Sequence, residues 1–462
     1  MKKFTNGCVN FMNKYLPDAF IFAVVLTIIV FIAAMPASGA GPLQMAMAWG
    51  NGVWGLLAFS MQMALVAVTG TAFATSPPVK KVLESIAGIA KSPVQGVVLV
   101  VVVGSIASFL NWGFGLVVGA LLGRAVARKV TGVDYRMLIA AAYSGFAIWH
   151  AGISGSIPLA LNTPGAEALE KATGGAVSDV IPTSLTLFSP WNLAMVAASV
   201  LITAVLFAIS HPKPEDAFIA SEELLKDEEH EYPKPVTPAE KIENSPILAW
   251  IIGICGIVYL VIYFFVPSLG GGKGLNGLNL NTVNFIFLIL GLIGHGTPIR
   301  YVNAMGDAAK GASGVILQVP FYAGIQAMMI YTMAEGGTGT SLAAVISNFF
   351  VSISTRITFP LWTFLAAGVV NFFVPSGGGQ WAVQGPIMMP AGLELGVHPS
   401  ITGMAIAWGD QWTNMIQPFW ALPALGAAGL GAKDIMGYCV LTLLAMAVVA
   451  IVGFLIVGTI MA

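Results

Sequence analysis

Charge is what this chain has least of. Of its 462 residues only 9% are Asp, Glu, Lys or Arg, against 57% hydrophobic residues and a mean hydropathy of +0.85. A chain so poor in charge cannot cover a soluble surface, so it belongs in a lipid bilayer. A net charge of −1 without a basic cluster gives nucleic acid nothing to bind. Cysteine is scarce too. Cys8, Cys255 and Cys439 stand far apart, which excludes a disulfide framework and a cysteine metal site. No phosphate loop, metal-ligand spacing or Ser/His/Asp ordering indicates an enzyme, and Gly377-Gly378-Gly379 follows no strand, as a nucleotide fingerprint would. No cofactor is expected beyond a coupling ion.

What the chain does have is a repeat. Ser108-Phe109-Leu110 leads into Asn111-Trp112-Gly113-Phe114-Gly115, and about 263 positions later Asn371-Phe372-Phe373 leads, through Val374, into Pro375-Ser376-Gly377-Gly378-Gly379. The register persists downstream, where Gly145 answers Gly409 and His150 answers Asn414. Paired hydrophobic segments interrupted by Gly or Pro point to the binding site of a secondary transporter.

Apolar runs long enough to span, or nearly so, lie at 19–36, 51–75, 94–123, 137–161, 185–209, 247–267, 282–295, 314–333, 357–394, 401–430 and 435–460. After the first comes Pro36-Ala37-Ser38-Gly39-Ala40, which looks like a signal-peptidase site, but the run is long for a signal core and many spans follow it. Runs 94–123 and 357–394 are too long for one helix and broken in the middle, so each is read as a re-entrant hairpin of two half-depth helices. Lys2, Lys3 and Lys14 put the amino terminus in the cytoplasm, and two crossings later Lys80, Lys81 and Lys91 return there. Only if 94–123 enters and returns do Arg124, Arg128, Lys129 and Arg136 stay on that side.

The stretch 211–245, with ten acidic and four basic residues, reads as a cytoplasmic linker. It divides a first repeat (1–210) from a connecting span and outer loop (246–280) and a second repeat (281–462) of inverted topology. The expected fold is an all-α polytopic membrane protein, each repeat carrying a hairpin and an interrupted helix, at 137–161 and 401–430.

Hairpin tips expose backbone that lipid cannot satisfy, so they must line protein or a wet cavity. Candidate substrate contacts are Asn111, Trp112, Gly113, Ser376, Gly377, Gly378, Gly379 and Gln380 at the tips, with His150, Thr413 and Asn414 in the interrupted spans. Glycine there would let a ligand approach the backbone, or would only let helices pack closely. Ionisable residues inside membrane spans are functional candidates, and Asp410, among Gln411, Thr413 and Asn414, is the foremost. As a proton carrier, Asp410 or His150 serves; sodium would instead take Asn111, Ser376, Asn414 and tip carbonyls, with Asp410 beside them. Arg356, Glu335 and Glu394 read as headgroup-level residues. Trp112, Phe114, Trp149, Trp381 and Trp412 could wall an apolar subsite or fill gaps between helices.

Asn111-Trp112-Gly113-Phe114-Gly115, Leu161-Asn162-Thr163-Pro164-Gly165, Pro375-Ser376-Gly377-Gly378-Gly379-Gln380-Trp381 and Trp408-Gly409-Asp410-Gln411-Trp412-Thr413-Asn414 resemble the bacterial short-chain fatty acid transporter family, in a superfamily that includes sodium-coupled dicarboxylate symporters. The resemblance covers essentially the whole chain. It implies uptake of small monocarboxylates such as butyrate or acetoacetate across the bacterial inner membrane, a scaffold and a transport unit, and a homodimer. The dicarboxylate members carry Ser-Asn-Thr at both tips; this chain does not, which weakens the carry-over of their sodium sites and fits a substrate with one carboxylate and an apolar tail. The function expected is cation-coupled symport of such acids. The rivals are a carrier of dicarboxylates or amino acids or an exporter on the same fold, and, from another class, a channel or an intramembrane enzyme.

Overall fold

The structure, a computed structural model, describes residues 19–55, 57–162, 169–170, 172–173, 175–225, 232, 234–278, 280–333, 340–375, 377–417 and 419–461. Ser376, Pro418, Glu335, Thr163-Pro164-Gly165 and the amino-terminal lysines lie outside the described residues. Among the described residues there is no strand, and five helical stretches are long and apolar enough to cross a membrane. The fold is all-helical and polytopic.

The first half runs α1 (Ala19–Ser38), α2 (Pro42–Gly52), α3 (Leu57–Ala74), α4 (Pro77–Ala87), α5 (Pro93–Leu110), α6 (Trp112–Lys129), α7 (Tyr135–Gly145), α8 (Ser156–Leu161) and α9 (Pro190–Ser210). Two short helices, α10 (Glu222–Leu225) and α11 (Pro238–Glu243), sit in the acidic linker, and α12 (Pro246–Phe265) follows. The second half repeats the order: α13 (Leu280–His295), α14 (Pro298–Gly311), α15 (Ser313–Ile330), α16 (Leu342–Ser352), α17 (Phe359–Phe373), α18 (Gly377–Glu394), α19 (Pro399–Thr413), α20 (Leu422–Ala428) and α21 (Ala432–Met461). The short helices α2, α4, α14 and α16 fall outside the apolar runs because they are too brief to span; α4 and α14 are amphipathic, with Lys80, Lys81 and Arg300 on them.

Packing follows the repeat. Helix α3 packs on α13 as α15 packs on α1, and α5 packs on α7 as α17 packs on α19. Glycine sets the closest of these approaches. A Cβ on Gly145 would overlap Gly104 and Ser105 of α5, and one on Gly409 would meet Phe364 and Ala367 of α17. Both hairpins are present. In the first, Gly96 faces Val126 and Ser108 faces Gly115, so α5 and α6 run antiparallel about Asn111. In the second, Gln380 bonds Ala367 and Gly392 faces Phe359.

Charges gather on one face. Arg128 and Lys129 pair with Glu84 at 3.2 and 2.9 Å, Arg136 with Asp434 at 3.2 Å, and Arg128 donates to Leu225 O at 2.8 Å. Segments 76–93, 124–136 and 211–225 therefore share that face, where α5 begins. Helix α21 starts there with Asp434 and ends with Gly458 against Ile357, so α17 begins at the opposite face. At 1.5 Å per residue the 30 residues of α21 span about 45 Å, and the 18-residue limbs α5, α6 and α18 about 27 Å each. The two tips meet where Trp112 packs on Trp420, which bonds Pro375 O.

Single cysteines replacing Lys81, Lys129 and Lys213 in a cysteine-free background are expected to react alike with an impermeant maleimide, and oppositely to one replacing Thr355. Reaction of positions 129 and 355 from the same side of intact cells would overturn the first hairpin.

Candidate functional site

Both long helices after the hairpins break. Helix α7 tightens into a 3-10 turn over Phe146–Ala151, opens at Gly152–Gly155 and resumes as α8. The break is tied to the first hairpin: Ile153 N donates to Phe109 O at 2.7 Å, and Gly152 leaves no room for a Cβ beside Phe109. Helix α19 ends in a 3-10 turn over Asn414–Ile416, with a second turn at Phe419–Ala421 before α20.

At the meeting of the two breaks lies an ionisable pair. His150 Nδ1 stands 2.6 Å from Asp410 Oδ2, and the two side chains are 0% and 1% exposed. The other ring nitrogen, Nε2, accepts the Ile157 N–H at 2.9 Å. The hydrogen-bond network therefore assigns the ring proton to Nδ1, which gives it to the carboxylate, and leaves the imidazole neutral. Among the described residues Asp410 Oδ1 has no hydrogen-bond partner. Gln411 Oε1 accepts the N–H groups of His150 and Ala151 at 2.9 and 3.1 Å, so the second broken helix holds the first at its unwound turn. Among the described residues the buried carboxylates are Asp410 and Asp134, and Asp134 belongs to the charged face, where it caps α7 and accepts Phe218 N. Burial raises the Asp134 carboxyl above its usual range, against the pull of those backbone N–H groups.

Both tips reach the first break. Asn111 caps α6 through Phe114 N at 2.8 Å, and Trp112 N donates to Ser154 Oγ at 3.0 Å in the first break. The Trp112 ring packs 6.2 Å from Trp149 and 5.0 Å from Trp420, whose Nε1 donates to Pro375 O of the second tip at 3.0 Å. Gly377 sits on the first break: a Cβ there would stand 2.7 Å from His150 Cε1, and 2.9 Å from both Ser156 Oγ and Trp149 Cη2. Gln326 of α15 donates to Gly379 O at 3.2 Å. Behind the pair, Asn371 Nδ2 donates to Thr413 Oγ1 and Asn414 Oδ1, both at 2.9 Å, and Tyr143 OH donates to Asn414 O at 2.8 Å.

The candidate residues do not all behave alike. His150, Asp410 and Gly377 converge, with Trp112 packed on Trp149 beside them; Asn111, Thr413, Asn414 and Gln380 bond to Phe114 N, Gly368 O, Asn371 Nδ2 and Ala367 O. Gly113 faces away, pressed on Val66 of α3, and so serves packing. Trp149 stacks on His150 at 4.2 Å and completes an aromatic wall with Phe146, Trp112 and Trp420. Trp412 bonds Leu443 of α21, and Trp381 packs with Ile157 and Leu161. Arg356 and Glu394 are exposed at helix ends.

Asn192 went unassigned in the sequence, although an amide in the apolar run 185–209 is a signal. Its Nδ2 donates to Ala151 O at 3.1 Å and Leu187 O at 2.8 Å, and its Oδ1 accepts Trp408 Nε1 at 2.9 Å, so it braces both broken helices. Asn192→Ala leaves these buried groups unpaired and is expected to cost about 2 kcal/mol or more, read as a lower unfolding midpoint in detergent. A midpoint equal to the parent's would deny the brace.

A family model described as short chain fatty acid transporter matches residues 1–457. A protein of Escherichia coli K12, provisionally named a short-chain fatty acid transporter, is 46% identical over 96% of this chain and 97% of its own. One of Haemophilus influenzae with the same provisional name is 44% identical over 96% and 97%. Among solved structures, the YdaH transporter of Alcanivorax borkumensis is similar over 94% of this chain and 98% of its own, at 17% identity and a TM-score of 0.48.

Proposed function

Because this chain belongs to the short-chain fatty acid transporter family, a family of multi-pass membrane transporters, we propose that it is a secondary active carrier of short-chain monocarboxylates such as butyrate or acetoacetate. It works in symport with a cation, from two inverted repeats, as a homodimer in the bacterial inner membrane with its amino terminus in the cytoplasm. The inverted arrangement is supported by the matching helix order of the two halves and by hairpins that begin at opposite faces.

The observation that carries the coupling is the buried His150–Asp410 pair. An ionised Asp410 beside a neutral His150 would leave the pair with one negative charge and no balancing cation, a costly state inside a membrane. A substrate carboxylate would add a second. A cation at the His150–Asp410 pair offsets this, and it also removes the roughly 2.3 kcal/mol per 100 mV that moving one negative charge into a negative-inside cell would cost. The proton is the favoured cation. The oxygens that sodium would need at Asn111 and Asn414 already accept Phe114 N and Asn371 Nδ2, whereas the His150–Asp410 pair can take up a proton without new ligands.

Counterflow in proteoliposomes tests the reading. Butyrate should exchange and succinate should not, and accumulation should follow an imposed pH gradient without sodium. Sodium-dependent accumulation at fixed pH would reassign the cation, and exchange of succinate alone would reassign the substrate.

A further inference from the structure

We propose that the substrate's carboxylate binds at His150 Nε2 and Ser156 Oγ, a site that exists only after a proton has arrived on the ring. The inference rests on the monocarboxylate reading above. As the ring stands, Nε2 is an acceptor held by the Ile157 N–H at 2.9 Å. That bond bridges the break, from the unwound turn to the first residues of α8. An anion gains nothing from a lone pair. A proton added to Nε2 makes the ring an imidazolium with a proton on each nitrogen: Nδ1–H keeps its bond to Asp410 Oδ2, and Nε2–H no longer accepts from Ile157.

The ring then offers a charged donor where there was an acceptor. The Ser156 hydroxyl, 8% exposed and without a partner, lies beside it. The His150 ring edge and Ser156 Oγ stand 2.7 and 2.9 Å from one point, the position a Cβ of Gly377 would occupy. Ser156 Oγ and the ring carbon Cε1 next to Nε2 therefore face the second hairpin's tip, and the tip must withdraw to admit a carboxylate. That carboxylate also takes the place of Nε2 as acceptor for Ile157 N–H. Trp149, stacked on His150 at 4.2 Å and reaching the same point with Cη2, gives the alkyl chain an apolar wall.

The charges balance. The pair carries −1 before; proton and carboxylate together leave it at −1, so one proton and one monocarboxylate move as a neutral unit. Of the elements packed around the ring, α19 contributes Asp410 as the charged group, and α7 contributes Tyr143 as a titratable one. Sodium at Asp410 would leave the Ile157 bond intact and create no donor, so this site demands a proton.

Butyrate binding to the full-length protein in detergent, titrated calorimetrically in buffers of different ionisation enthalpy between about pH 6 and 8, tests the site. The parent should take up one proton per butyrate, and its affinity should tighten about tenfold per pH unit on acidification. Ser156→Ala should weaken binding roughly five- to tenfold and keep that slope, because the linked proton belongs to His150. His150→Gln should bind weakly with no slope. Butyrate binding to the parent without proton uptake, a retained slope in His150→Gln, or unchanged affinity in Ser156→Ala would each overturn the site while leaving the transporter reading intact. A parent that neither binds nor exchanges butyrate overturns both.

Discussion

Asp410→Asn is expected to cripple both accumulation of butyrate driven by a pH gradient and butyrate exchange, because the protonated His150 ring loses the carboxylate that balances it. The parent, moving one proton per carboxylate, should concentrate substrate about tenfold per pH unit, since a tenfold ratio and one pH unit are each worth about 1.4 kcal/mol. The amide is nearly isosteric, and its Oδ1 can still accept the His150 Nδ1–H now given to Asp410 at 2.6 Å. The fold should therefore hold, and with an uncompensated buried charge removed, the unfolding midpoint should equal or exceed the parent's. Undiminished accumulation by this variant would remove Asp410 from the coupling site.

The second large effect is expected at Gly377. An alanine there already brings a methyl within 3 Å of His150, Ser156 and Trp149, closer than nonbonded carbons approach without displacement. The His150 ring is pinned at both nitrogens by Asp410 and Ile157 and cannot yield cheaply. Gly377→Ala should slow uptake severalfold, and Gly377→Leu should abolish it, by wedging the second tip off the first break. Overpacking of this size costs about 1–3 kcal/mol, so the variant should still fold. Gly113→Ala is the contrast. Its Cβ would strike Val66 O of α3, so it should lower stability as well as uptake. Normal uptake by a folded Gly377→Leu protein would mean that the tip does not touch the transport path.

Much of this was legible along the chain. Polar interruptions at Asn111 and at 375–379 inside apolar runs, recurring after about 263 positions, mark both hairpins, and Gly152, Gly155 and Pro158 mark the first break. These are local signals: backbone that cannot stay helical, or charge that cannot stay in lipid, shows itself in neighbouring residues. Lysine and arginine likewise group 76–93 with 124–136 before any contact between them is known.

The partnerships were not legible, because they join residues remote in the chain. Asp410 and His150 are each credible alone, yet nothing in the sequence says that 260 positions close to 2.6 Å, or that Ile157 takes the second ring nitrogen and so assigns the proton. Asn192 looks like any amide until it is seen holding Ala151 and Trp408. Gly113 and Gly377 occupy equivalent tips and read alike; packing makes the first a seat for α3 and the second a lid over His150. Composition and local pattern thus decide which residues must be in the membrane and where helices must break. Which side chain meets which is decided only when the halves interlock, since hydrogen bonds and close contacts act over about 3–4 Å and carry no trace along the sequence.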